Sequence, residues 1–65
     1  MDILKLKIKA EALNDLACKT CTKNWLEKHD KLSDPIEDIN LCFQADLISS
    51  KLKERLIKEV LELNS

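Results

Sequence analysis

Asp34-Pro35-Ile36-Glu37 decides how the second half of this chain folds. Proline is tolerated in the first turn of a helix, where its missing N–H would have had no intrahelical partner. Asp34 can accept from the orphan amides of that turn. Glu37 stands three residues on, where a capping box places its acid. The tetrapeptide therefore predicts a helix beginning at Pro35, in 65 residues that contain no glycine and one proline. The polar residues 29–34 before it read as a loop.

Beyond the cap, Ile36, Ile39, Phe43 and Leu47 form one apolar stripe, and Leu41, Ala45, Ile48 and Leu52 form a second on the opposite side. A helix apolar on two sides must be covered on two sides. Past Ser49-Ser50 the pattern simplifies, with Leu52, Leu56, Ile57, Val60 and Leu61 sharing one face. A serine pair can kink a helix or cap a new one. Without a break, residues 35–63 make a single rod of about 43 Å at 1.5 Å per residue.

Upstream, Leu13, Leu16, Ala17, Thr20 and Cys21 form a stripe with Trp25 one turn further, which predicts a helix over residues 10–28. At residues 3–9 pattern and propensity disagree. Leu4, Leu6 and Ile8 alternate with Lys5, Lys7 and Lys9, the period of a half-buried strand, although leucine and lysine favour helices. Giving pattern precedence, we expect a short strand at 3–9. The fold class is then mostly α: a strand, a helix over 10–28, and a long helix over 35–63 with a possible kink at 49–50. Everything lies in one small domain, 1–65.

At this length a core is marginal without a staple. The spare apolar stripe and the lone strand both ask for cover, so a homodimer is expected. Trp25, Ile39, Phe43, Leu47, Ile48, Leu52 and Leu56 are the candidate interface residues, tryptophan being enriched among interface anchors. Charged residues are 35% and apolar residues 45% of the chain, a globular composition, and the net charge is −1. Residues 1–33 carry seven lysines against five acids, and residues 34–65 carry four basic residues against seven acids. No secretory signal or membrane-span pattern is visible, and three cysteines is an odd count. The expectation is a reduced, cytoplasmic protein.

Chemistry is thinly signalled. Cys18 and Cys21 form a C-x-x-C, and His29 and Cys42 could complete a zinc set, but the spacing matches no zinc module and the pair falls within the expected helix. We therefore expect no metal and read the cysteines as packing residues. A thioredoxin-type role needs the pair at a helix N-terminus after a βαβ unit; inside a helix over 10–28 it has neither. No nucleophile–base pair, phosphate loop or cofactor signature can be drawn, so an enzyme is not expected. The sequence favours a non-enzymatic protein–protein interaction or regulatory module acting through an apolar helical surface. The alternative is a transcriptional regulator binding DNA through Lys5, Lys7 and Lys9, and the third reading is a small structural zinc protein using Cys18, Cys21, His29 and Cys42. The order strand, helix, helix is similar in architecture to the ribbon-helix-helix repressors, which implies a two-stranded lysine-faced ribbon in the major groove. The glycine-containing interhelix turn is missing, and no arginine or asparagine in the strand reads bases.

Overall fold

The computed structural model describes residues 3–64 as four helices, α1 (Ile3–Asn14), α2 (Lys19–Lys28), α3 (Pro35–Gln44) and α4 (Ser50–Leu63). There is no strand among the described residues. α1 packs on α3, α3 on α4, and α4 on α2, so α3 and α4 are central and the first two helices flank them. The body measures 30 × 26 × 16 Å.

Residues 3–9 are helical, which corrects the expected strand. A lone strand leaves its ladder groups unpaired, whereas a helix satisfies them within the segment. The helix also places Leu6, Ala10 and Leu13 on one buried stripe. Leu4 and Ile8, which made the alternation persuasive, are left outside at 63% and 62% exposure. The ribbon disappears with the strand.

The expected helix over 10–28 is two helices, separated at residues 15–18. Asn14 and Asp15 are weak helix formers. Tertiary partners then fix the exit: the Asn14 side-chain Nδ2 donates to the Leu47 carbonyl at 3.2 Å, Arg55 donates to the Leu16 carbonyl, and Leu16 is buried in the core. The Leu13–Leu16 continuity that suggested one helix comes from a connector turning inward. α2 then stops at His29, whose amide bonds the Leu26 carbonyl at 3.1 Å.

α3 begins as its sequence predicts. Asp34 Oδ1 accepts from the Ile36 amide at 3.0 Å, with Pro35 in the first turn. The 35–63 rod does not form, because α3 ends at Gln44. Asp46 adopts φ 63°, its amide bonds the Phe43 carbonyl, and the Leu47 amide bonds the Cys42 carbonyl, each at 3.0 Å. This pair of bonds is a Schellman close, with aspartate in the left-handed position that glycine usually fills. Ser49 then caps a new helix, its Oγ accepting from the Leu52 amide at 3.2 Å.

That break removes the spare stripe. Folding back places Ile39 and Cys42 of α3, Leu56 and Val60 of α4, and the connector residue Ile48 in one core with Leu6, Ala10 and Leu13 of α1. Of the two stripes expected to need a second copy, Ile39 and Ile48 are buried in this core and the other six residues are half-buried against it. α2 is attached differently: its fully buried Thr22 lies with Oγ1 2.6 Å from Glu59 Oε1, and Lys19 pairs with Glu62 at 2.8 Å.

Candidate functional site

Asp38 is the one buried carboxylate among the described residues, 8% exposed in the first turn of α3. Burial of a charge needs partners. Two are supplied: Lys9 Nζ of α1 lies 3.3 Å from Oδ1, and His29 Nε2, at the end of α2, lies 2.7 Å from Oδ2. The other His29 nitrogen, Nδ1, is 2.9 Å from the Asp30 carbonyl oxygen. The Trp25 ring meets the imidazole edge-on with centroids 5.0 Å apart. Together with Lys28 and Ser33 these residues line a cleft of about 330 Å³.

The cleft ties three helices together more than it builds a reaction centre. Both His29 nitrogens face oxygen acceptors, so neither is turned towards a nucleophile such as Ser33. Asp38 already answers two donors. Sequence reasoning did not single out Asp38, because an acidic residue in a first turn usually needs no explanation beyond the helix dipole.

The candidate zinc ligands do not converge. Cys18 and Cys21 lie together, His29 is bound to Asp38, and Cys42 is buried in the core with its Sγ 3.8 Å from the Leu6 carbonyl. Among the described residues no group of three or more His, Cys, Asp or Glu side chains could hold a metal ion. Burial, and then the nearby Asp38 charge, push the Cys42 thiol up, so it stays a packing residue. Cys18 and Cys21 are not in mid-helix. Cys18 is the N-cap of α2, which corrects the position assigned to the pair.

The candidate interface residues divide into two groups. Ile39, Ile48 and Leu56 are buried in the chain's own core. Trp25, Phe43, Leu47 and Leu52 are half-buried against that core. Trp25 faces the cleft, and the Lys53 ammonium sits 4.4 Å from the centre of the Phe43 ring. Lys5, Lys7 and Lys9 are exposed, but on a helix they do not form a row. Lys5 and Lys9 are one turn apart, Lys7 points elsewhere, and Lys9 is held by Asp38.

The exposed apolar surface is instead on α1. Leu4, Ile8 and the exposed Ala12 follow one another at i, i+4, i+8, opposite the buried Leu6–Ala10–Leu13 stripe, while Ile3, 58% exposed, lies at the N-terminal end of that buried stripe. Exposed Lys5, Lys7 and Glu11 surround them. The signal was present in the sequence as the residues that fitted a strand better than a helix. No helix among the described residues is long and apolar enough to cross a membrane. Compared with family models, with curated proteins and with solved structures, the chain matches none.

Proposed function

We propose that this chain is a small non-enzymatic interaction module that docks through the outer face of α1, and that its partner presents an apolar helix flanked by acidic residues. One observation carries this: Leu4 and Ile8, one turn apart on the outer face of α1, are 63% and 62% exposed, whereas the apolar stripes of α3 are packed against the core. Leu32 and Leu61 are also exposed, but singly and on other elements, which is ordinary for a soluble surface. A helix with an exposed apolar stripe suits helix-in-groove or helix-on-helix recognition through anchors one turn apart.

Charge selects the partner. α1 carries three lysines and one glutamate, so a second copy laid against it brings like charges together, while acidic flanks on a different helix complement them. A duplex-DNA reading gains nothing from the helix, which disperses the three lysines.

The test is fluorescence anisotropy with a labelled amphipathic helical peptide, leucines at i, i+3, i+4 and i+7, flanked by glutamates. Its lysine-flanked counterpart, anionic phospholipid vesicles and duplex DNA are run beside it. We expect the glutamate peptide to bind roughly tenfold more tightly than the lysine peptide, and Ile8→Glu to abolish the difference. Equal affinity for both peptides, no binding to either, or binding to vesicles or DNA alone would overturn the proposal.

A further inference from the structure

We propose that Cys18-Lys19-Thr20-Cys21 is a thiol–disulfide exchange site, in which Cys18 attacks an external disulfide and Cys21 resolves the product into an intramolecular bond. Three features of the geometry support it. The two Sγ atoms are 3.4 Å apart, so a small approach forms an S–S bond of about 2.04 Å. Cys18 is exposed and Cys21 half-buried, the division between an attacking and a resolving thiol. Cys18 is also the N-cap of α2, in an extended conformation (φ −150°, ψ 171°) with no side-chain cap bond to compete for its sulfur.

The surroundings favour the thiolate at Cys18. The Cys21 backbone N–H and then the Cys21 thiol, both close to the Cys18 sulfur, hold the Cys18 pKa below the ordinary thiol value; Arg55 adds a favourable charge. Cys42 is the contrast within the same chain, buried and pushed the other way. The Thr22 hydroxyl meets the Cys18 backbone carbonyl at 3.2 Å rather than its sulfur. Lys19 is engaged by Glu62, and Thr22 is turned to Glu59, one turn into the helix.

The chemistry balances without a metal or cofactor. The Cys18 thiolate attacks one sulfur of a disulfide R–S–S–R′, forming Cys18–S–S–R and releasing R′–S⁻, which takes up a proton. The deprotonated Cys21 sulfur attacks Cys18 Sγ; the Cys18–Cys21 bond forms, the bond to R–S breaks, and R–S⁻ is protonated. Two cysteine thiols are oxidised and one external disulfide is reduced. The two protons lost by the cysteines equal the two gained by the leaving thiols. The substrate class is an accessible disulfide, either of a small thiol or of a peptide.

The experiment uses the full reduced chain at neutral pH with oxidised glutathione in one arm and a peptide bearing a single disulfide in the other. Reactions are quenched with acid and read by intact mass. With glutathione, the wild-type chain should finish two hydrogens lighter with no lasting adduct, Cys42 remaining unmodified. Cys21→Ala should instead retain one glutathione on Cys18, and Cys18→Ala should react roughly tenfold more slowly. Reduction of the peptide as well would assign the site to peptide disulfides; reduction of glutathione alone would assign it to small ones. Circular dichroism establishes that each variant folds, and Cys21→Ser replaces Cys21→Ala if the latter does not. A lasting adduct on the wild-type chain equal to that on the Cys21 variant, or reaction at Cys18 no faster than a free thiol, would overturn the proposal.

Discussion

Substitution at Asp46 separates a broken helix from a continuous one by sign alone. In the structure Asp46 sits at φ 63°, closing α3 through the Asp46–Phe43 and Leu47–Cys42 hydrogen bonds. The left-handed conformation costs an ordinary L-residue about 1–2 kcal/mol, somewhat less for aspartate, and costs glycine almost nothing. Glycine loses part of that gain through the larger entropy of its unfolded chain, so Asp46→Gly should stabilise by about 0.5–1 kcal/mol. For a chain of this size that raises Tm by roughly 2–8 °C. Asp46→Ala lacks both the glycine freedom and the polar side chain that tolerates this region, and should destabilise by about 1 kcal/mol. Had residues 35–63 formed one rod, both signs would reverse, since glycine costs about 1 kcal/mol in a helix interior and alanine is the best helix former. Urea denaturation followed by far-UV circular dichroism measures both variants. A destabilised Asp46→Gly with a stabilised Asp46→Ala would refute the break between α3 and α4.

The remaining predictions concern the junctions and the core. Asp38→Ala should cost about 1–3 kcal/mol, because it strips the partly buried His29 and the exposed Lys9 of their shared acceptor; an unchanged denaturation midpoint would show that the three-helix tie contributes nothing. Leu56→Ala, at a fully buried position, should cost about 2–5 kcal/mol and leave the chain largely unfolded by circular dichroism. The Lys19–Glu62 pair makes a small, exposed contribution with a defined pH window. Glu62 is held below its ordinary pKa of 4.5 by the hydrogen bond and charge of Lys19, so its contribution is complete above that value and lost as pH falls through the lower folded one. Lys19 is raised above 10.5 by the same partner, so its contribution is complete below that value and lost as pH rises through the folded one. Glu62→Gln should flatten the acid limb of a stability–pH profile slightly; an unaltered profile would remove the pair from the account.

Local signals were legible where they were self-contained. The Asp34-Pro35 start is written in four residues and needs no tertiary partner to be recognised. The Ser49 cap was visible as an option, but the decisive element was the turn before it, and a left-handed aspartate carries no sequence mark where glycine would have. The division between α1 and α2 was hidden for a different reason. Leu13 and Leu16 keep helical spacing across it, while the carbonyl partner that fixes the turn, Arg55, lies 39 residues away. Residues 3–9 show the same lesson in reverse: alternation is a faithful record of two apolar faces, but not of which secondary structure displays them. The C-x-x-C was misplaced only because its helix was misplaced.

The central claim is that the exposed outer face of α1, centred on Ile8, receives a partner helix. Leu4→Ser/Ile8→Ser tests it in one titration of the glutamate-flanked peptide, made on a variant whose unfolding free energy has been measured. Exposed positions of this kind should change stability by no more than about 0.5 kcal/mol. The account predicts a variant as stable as the wild-type chain that no longer binds the peptide. A loss of more than about 2 kcal/mol, which marks a core position, or undiminished binding by the intact variant would contradict it.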